Sequence, residues 1–253
     1  MIHIRGLGLD RDQCQILKDV SAEIPESGLT AVIGPNGAGK STLLHCIAGL
    51  LPPNSGNVCV GDADMNILKP QDRAHLVALL TQSPAIVPRL TVAELVAFGR
   101  WPHHRGRPKQ QDHDLVAEAI ALFELTDLSE RKLDTLSGGQ RQRAFVAMAY
   151  AQATPWMLLD EPLAALDPRY ARDIMERLHA LSRPGPNARS VIIVMHDLAM
   201  AARYADWVVS LKDGRLVESG PRASTMTTRN LSDLFDTALS VEEINGRSVV
   251  VPV

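Results

Sequence analysis

A nine-residue segment early in the chain combines closely spaced glycines with a lysine and two hydroxyl residues. The segment consists of Gly34, Pro35, Asn36, Gly37, Ala38, Gly39, Lys40, Ser41 and Thr42. It fits the phosphate-loop pattern G-x-x-x-x-G-K-S/T, in which backbone N–H groups and the start of a helix surround a phosphate. A structural glycine turn would explain one or two of the glycines but not the whole pattern. We therefore expect ATP here, with Lys40 on its β- and γ-phosphates and Ser41 on Mg²⁺.

Two acids, Asp160 and Glu161, follow an apolar run that begins at Trp156. A carboxylate beside a buried strand is costly unless a cation meets it, so we expect Asp160 to meet Mg²⁺ directly or through water. Glu161 suits a general base that orients the attacking water. The structural alternative is a pair of acids at a helix N-terminus ahead of Pro162.

Gln82 and His196 also follow apolar runs. Each is a weak signal alone, since such a glutamine is usually a turn residue and a single histidine is usually a satisfied surface or core group. Placed with the acids, Gln82 would contact Mg²⁺ or the attacking water, and His196 would touch the γ-phosphate.

Four short apolar runs predict the strands that would bring these residues together. They cover residues 29–33, 76–80, 156–159 and 191–194. Nearly continuous apolar character is typical of parallel strands that are buried on both faces. Ligands of such sheets bind at the carboxyl ends of the strands, where the polar residues follow. The pattern predicts an α/β fold with a phosphate-loop NTPase core and a mostly parallel sheet.

Other segments predict two additions to this core. The N-terminal stretch and residues 56–61 are expected to form short antiparallel strands, and Asp213-Gly214 predicts a hairpin turn within residues 208–217. Residues 91–152 have a helical pattern, with Thr91 and Glu94 as a capping box and a second helix over 115–125. We expect one domain over 1–253, with an inserted helical subdomain at about 84–153 and a short C-terminal extension at about 221–253.

A further segment, Leu136-Ser137-Gly138-Gly139-Gln140, has two interpretations. Ser137 and Gln140 fit a capping box for the helix that follows over 141–152. The two glycines indicate a role beyond capping, because glycine lowers helix stability by up to about 1 kcal/mol relative to alanine. That cost is understandable where the backbone must approach a second anion site.

The run from Leu136 to Arg143 resembles the signature of ABC ATPases, as do the phosphate loop and residues 158–162. Gln82, His196 and the pair Leu166-Asp167 match the same family, so the resemblance covers nearly the whole chain. It implies a head-to-tail homodimer with composite ATP sites. The residues of one copy that would contact the ATP held by the other are Ser137, Gly138, Gly139, Gln140 and Asp167. The resemblance also makes Gln82 a lever that reports the nucleotide state to a membrane partner.

Two positions depart from the family pattern. An aromatic residue that stacks on adenine is common in the early strand-turn region, where this chain has Leu9 to Gln13 with Arg11 as the nearest candidate. A guanidinium plane can stack on a ring, so we expect Arg11 to contact the base. A hydroxyl residue is also usual near Leu163 or Ala164, and its absence is expected to affect the dimer seam.

Within the family, three classes compete: an importer ATPase, an exporter ATPase and a soluble ABC ATPase that acts on ribosomes or DNA. The segment from Val96 to His104 is similar to bacterial ATPases that energise uptake of ferric siderophores, haem or cobalamin. One phosphate loop and no long heptad tract disfavour the soluble class. His103 and His104 have no carboxylate or cysteine at ligand spacing, which disfavours a metal site.

Composition limits the partners. The chain has 253 residues with a net charge of -3 and three cysteines without metal-ligand spacing. No basic field favours nucleic acid, and no apolar run approaches the roughly 20 residues of a membrane helix. We expect a protein at the cytoplasmic face of the inner membrane, bound to two transmembrane permease subunits. An exported solute-binding protein would be an indirect partner.

Overall fold

A computed structural model describes residues 1–82, 89–164, 166–185, 187–244 and 246–253. The strands are β1 Ile2–Arg11, β2 Cys14–Ile24, β3 Leu29–Ile33, β4 Ser55–Val60, β5 Ala63–Asp64, β6 Val77–Leu80, β7 Trp156–Asp160, β8 Ser190–Val194, β9 Trp207–Lys212, β10 Arg215–Pro221, β11 Leu239–Ile244 and β12 Arg247–Pro252. The helices are α1 Lys40–Ile47, α2 Pro70–Leu76, α3 Val92–Phe98, α4 Trp101–His104, α5 Gln110–Leu122, α6 Gly138–Ala151, α7 Pro168–Leu181, α8 Leu198–Tyr204, α9 Arg222–Thr225 and α10 Thr228–Phe235.

The main sheet has the strand order β10-β9-β3-β8-β7-β6. All neighbours in it pair in parallel except β10, which is antiparallel to β9. Every residue of β3, β7 and β8 is buried, which confirms the prediction of strands covered on both faces. Along β7, Met157 and Leu159 pack with the helical side of the core, whereas Leu158 packs with α1 and the N-terminal strands. The four predicted strand ends therefore meet at one edge.

A second sheet has the order β2-β1-β4-β5 and covers the α1 side of the main sheet. The expected antiparallel pairing is present, but the strands are not short, since β1 has 10 residues and β2 has 11. Their pairing shifts register between Ile4 and Leu7, Leu7 and Leu9, and Leu9 and Asp10. Such irregularities let a twisted pair continue beyond the length of a regular ladder.

Helices α3 to α6 lie between β6 and β7 in the chain. The predicted start of this helical region, residue 84, lies outside the described residues. The capping box is confirmed: Thr91 N–H donates to Glu94 Oε2 at 2.7 Å, and Glu94 N–H donates to Thr91 Oγ1 at 3.2 Å. Helix α5 begins at Gln110, five residues before the predicted 115. Lys109 is the N-cap of this helix, and its N–H donates to Asp112 Oδ2 at 2.9 Å, which stabilises the earlier start.

One buried ion pair joins the helices of this region. Arg100 Nε lies 3.0 Å from Asp112 Oδ1, with both side chains less than one-tenth exposed. Arg100 Nη1 also donates to the backbone oxygens of Ala151 at 3.0 Å and Gln152 at 3.2 Å. The N–H of Lys109 and then Arg100 hold the pKa of Asp112 below its usual range, against the effect of burial. The pair therefore fixes the end of α3 to the start of α5 and the end of α6.

The chain after β10 forms α9, α10 and the antiparallel β11–β12 hairpin, and β12 packs against α8. Leu231 and Leu234 of α10 are buried and join the main core. This part covers residues 222–253, close to the predicted C-terminal extension. Among the residues described, no helix has both the length and the apolar character needed to cross a bilayer.

Asp112→Ala should lower the free energy of unfolding by about 3–5 kcal/mol, because it leaves the buried Arg100 charge without its partner. Urea unfolding followed by circular dichroism measures this change. Glu176→Ala is the matched control, since it removes an exposed ion pair with Arg172 at 2.7 Å. The control should change stability little, and an equal loss in both variants would contradict the assigned role of Asp112.

The same variant carries a pH test. Because the pKa of Asp112 is lowered in the folded state, its stabilising contribution is complete at neutral pH and is lost as the pH falls through that folded-state pKa. The stability difference between the parent and Asp112→Ala should therefore shrink on acidification. A difference that stays constant from neutral to strongly acidic pH would count against the ion pair.

Candidate functional site

The phosphate loop joins β3 to α1, and its glycines are required by its own backbone. Gly34 has φ 147°, and a Cβ there would lie 2.0 Å from the backbone oxygen of Leu211. Gly39 is the N-cap of α1 with φ 94°, and a Cβ there would lie 2.9 Å from Leu17 Cδ2. Residues with side chains are strained or excluded at both positions. The loop is thereby shaped before any ligand arrives.

Lys40 is the first residue of α1 and is buried. Its Nζ donates to the backbone oxygens of Gly34 and Pro35, each at 2.8 Å. Burial lowers the pKa of Lys40, while the nearby carboxylates of Glu161 and Asp160 oppose this shift. The ammonium is thus held over the loop by carbonyl groups that a phosphate oxygen can replace.

Ser41 and Asp160 meet across the end of β7. Ser41 Oγ donates to Asp160 Oδ1 at 2.9 Å, and the Asp160 side chain is buried. Burial raises the pKa of Asp160, and the hydrogen bond from Ser41 opposes that shift. A hydroxyl beside a buried carboxylate is an oxygen donor set of the kind that Mg²⁺ prefers. The residues present therefore fit a magnesium ion.

Glu161, which follows β7, contacts one side chain that follows β6 and one that follows β8. Its Oε2 accepts a hydrogen bond from Gln82 Nε2 at 2.7 Å, and its Oε1 lies 2.6 Å from His196 Nε2. Its backbone has φ 48°, a left-handed conformation that is uncommon for a residue with a side chain. That turn places the carboxylate between Gln82 and His196, although the three residues are far apart in the sequence. Strain of this kind is concentrated at functional sites.

A cavity of about 270 Å³ lies between the phosphate loop and Glu161. It is lined by Glu161, residues 36–42 of the phosphate loop, and Ile16 from β2. From the sequence, we expect an aromatic or cationic side chain to contact adenine in this region. That expectation does not include Ile16. Its position in a strand that runs beside the loop was the available signal.

Arg11 does not line this cavity. It ends β1, and its side chain is 71% exposed, with Nε 3.8 Å from the Asp12 carboxylate. Its contact with the base stays a prediction.

The second glycine segment caps α6. Gln140 N–H donates to Ser137 Oγ at 3.3 Å, and Ser137 N–H donates to Gln140 Oε1 at 3.0 Å. The capping interpretation therefore holds, and α6 begins at Gly138 rather than at the predicted Arg141. Ser137 and Gly138 are exposed, as is Asp167 at the N-cap of α7. The residues that line the cavity near Lys40 do not include this segment or Asp167.

Residues 17–164 match the ABC transporter family. The petrobactin import ATP-binding protein FatE of Bacillus anthracis is 42% identical over 219 residues, covering 87% of each chain. The ferric enterobactin transport ATP-binding protein FepC of Escherichia coli is 36% identical over 255 residues, covering 98% of this chain and 93% of the relative. The hemin import ATP-binding protein HmuV of Nocardia farcinica is 37% identical over 259 residues, covering 100% and 89%.

Solved structures agree with these relatives. A metal-chelate type ABC transporter in an inward-facing conformation superposes with a TM-score of 0.85 at 24% identity, covering 100% of this chain and 97% of that chain, and supports the fold. A dimeric ATP-binding cassette bound to ADP and Pi gives a TM-score of 0.79 at 28% identity, covering 88% and 99%. With the phosphate loop, the two acids and the glycine segment on one α/β scaffold, the chain belongs to the ABC transporter family as an ATP-binding protein.

Proposed function

We propose that this ATPase energises bacterial uptake of an iron chelate (a siderophore or haem) or of cobalamin through separate membrane subunits. The observation that carries the proposal is the position of Glu161. Its carboxylate lies between Gln82 and His196 and next in sequence to Asp160, at the mouth of the phosphate-loop cavity. This arrangement suits in-line attack of water on a γ-phosphate.

The phosphate loop would receive the β- and γ-phosphates. Lys40 Nζ would exchange its contacts with the Gly34 and Pro35 oxygens for phosphate oxygens, and the N-terminus of α1 would add its positive dipole. Ser41, Asp160 and Gln82 would hold Mg²⁺. When bound, the ion neutralises charge that develops on the phosphate oxygens.

Glu161 would act on the attacking water. As a general base it would accept the proton of that water, while His196 would donate a hydrogen bond to the γ-phosphate. Gln82 uses only its Nε2 in the hydrogen bond to Glu161 Oε2, so its Oε1 would remain the atom that meets the ion. Gln82 would therefore contact both the ion and Glu161, a position that suits a lever to a membrane partner.

A second copy would complete each site. Ser137, Gly138 and Asp167 are exposed and absent from the cavity lining of their own chain. In a head-to-tail homodimer, the start of α6 with Gly139 and Gln140 would face the γ-phosphate held by the other copy. The similarity to a dimeric cassette bound to ADP and Pi supports this assembly.

The membrane partner would dock beside the helical region. Four large apolar side chains, each at least half exposed, lie around α2 and α4: Leu50, Ile67, Phe98 and Trp101. Helices α2 and α4 pack together, and the Arg73 guanidinium joins α2 to the backbone oxygen of Gly49. An exposed apolar group of this size suits a protein interface. Two permease subunits would thus hold the homodimer at the cytoplasmic face of the inner membrane.

The cargo follows from the relatives. Their names specify import of petrobactin, hemin and cobalamin, and transport of ferric enterobactin. Deleting the gene in its own host should abolish uptake of one of these compounds, measured with radiolabelled iron chelates, haem and cobalamin separately. Expression of the parent chain should restore uptake, whereas the Glu161→Gln chain should not. Loss of an efflux phenotype with normal uptake would instead indicate an exporter.

Glu161→Gln should leave ATP binding intact and lower turnover by at least about 100-fold, because it keeps the shape and removes the base. The variant should also accumulate as an ATP-bound dimer on size-exclusion chromatography. Phosphate release measures turnover, and a fluorescent nucleotide measures affinity. Turnover near that of the parent would remove Glu161 from its assigned role.

Ile16 and Arg11 give competing predictions for the adenine contact. Arg11→Ala should raise the Kd of ATP and ADP alike, by up to about tenfold, if the guanidinium stacks on the base. Ile16→Ala should raise both Kd values about fivefold, since it removes apolar surface from the cavity wall. Equilibrium titration of each variant compares them, and an effect of Ile16→Ala alone would assign the contact to β2.

Mixing two inactive variants tests the composite site. Ser137→Arg would put a long cation where the partner's γ-phosphate docks, and Lys40→Ala would weaken the phosphate loop. Each variant alone should lack ATPase activity, whereas a mixed dimer contains one intact composite site. Partial recovery in the mixture, with the membrane subunits present, is the expected result. Full activity of Ser137→Arg alone would show that the segment is only a helix cap.

A further inference from the structure

The two signature glycines have different surroundings in their own chain. Among the described residues, a Cβ built at Gly138 would meet nothing within 4 Å, and Gly138 is exposed. A Cβ built at Gly139 would lie 3.3 Å from Tyr170 Cδ2 and 3.6 Å from Leu166 Cδ2, and Gly139 is buried. A Cβ contact of 3.3 Å is tighter than ordinary van der Waals contact, so the Tyr170 ring would have to shift by a few tenths of an ångström. Gly139 is therefore fitted to α7, whereas no described residue would contact a side chain added at Gly138.

The Tyr170 ring is also held by the next turn of α6. The Arg143 guanidinium carbon lies 5.5 Å from the ring centroid, within range for a cation–π contact. Arg143 follows Gly139 by four residues, so both face the ring from the same side of the helix. The Arg143 side chain is nine-tenths buried, and its Nη1 lies 3.6 Å from Glu124 Oε2. Among the described residues, none accepts a hydrogen bond from its buried Nε.

The contact of Gly139 and Arg143 with Tyr170 joins the N-terminal turns of α6 and α7. Ser137 is the N-cap of α6, and Gly139 and Arg143 lie in its first two turns. Asp167 is the N-cap of α7, and Leu166 and Tyr170 lie on either side of it. The packing of Gly139 against Leu166 and Tyr170 therefore sets the spacing between Ser137 and Asp167, the two N-caps that would face one partner nucleotide.

We propose that Tyr170 is a positioning residue of the composite ATP site. Its ring, seated against Gly139 and beneath Arg143, holds Ser137 and Asp167 as one unit for the nucleotide of the other copy. The role rests on the head-to-tail dimer proposed above. It requires the ring and not the hydroxyl, since the contacts with Gly139 and Arg143 are made by ring atoms.

A thermal double-mutant cycle tests the contact itself. Alanine usually stabilises a helix relative to glycine, so Gly138→Ala should raise the Tm or leave it unchanged. Gly139→Ala should lower the Tm by about 2–4 °C, because the added methyl meets Tyr170. In a Tyr170→Ala background this loss should disappear. A rise in Tm for Gly139→Ala equal to that for Gly138→Ala would overturn the proposal.

Nucleotide-driven dimerisation tests the positioning role. In a Glu161→Gln background, Tyr170→Ala should raise the ATP concentration for half-maximal dimer formation about tenfold. The Kd for ADP should be unchanged, because Tyr170 does not line the cavity near Lys40. Tyr170→Phe should restore the parental midpoint, which a loss of general stability would not explain. A parental midpoint for Tyr170→Ala, or no rescue by Tyr170→Phe, would refute the role.

Dimer formation by the Glu161→Gln chain with Tyr170 intact distinguishes failure of the positioning role from failure of the head-to-tail dimer. If the Glu161→Gln chain with Tyr170 intact forms no dimer in ATP, the composite site fails and the positioning role fails with it. The thermal cycle would still decide whether the ring and Gly139 are in contact. If that chain dimerises and Tyr170→Ala dimerises equally well, only the positioning role fails.

Discussion

The parallel pairing of β3, β8 and β7 is the constraint on which the site depends. These strands are buried on both faces, so the chain can change direction and expose polar groups only where they end. Because they run in parallel, their carboxyl ends lie at one edge. The phosphate loop, the acids and the histidine are delivered there by backbone hydrogen bonding and burial, and the chemistry of the site follows from that delivery.

The charged side chains at this edge are buried or partly buried and are held by hydrogen bonds. Burial disfavours the charged forms of Lys40 and Asp160, lowering one pKa and raising the other. Each is held by neutral groups, backbone oxygens for Lys40 and the Ser41 hydroxyl for Asp160. Glu161 is engaged by Gln82 and His196.

Two contacts hold the helical region together and connect it to α7. Arg100 and Asp112 form a buried ion pair that fixes its helices to one another. Gly139 packs against Tyr170 and thereby fixes the start of α6 to α7, which follows the acids. The same glycine segment therefore has two roles. It is a helix cap and packing surface in its own chain, and it is the exposed face proposed to meet the partner's nucleotide.

The sequence by itself determined the α/β fold, the phosphate loop and the strand ends, because apolar runs and glycine spacing are local consequences of burial and backbone geometry. Only the tertiary structure decided which groups touch. It placed Glu161 between Gln82 and His196, put Ile16 on the cavity wall and left Arg11 exposed. It also separated Gly138 from Gly139, which are alike in the sequence. Such contacts depend on strand register and on side chains distant in the chain, and no local pattern encodes them.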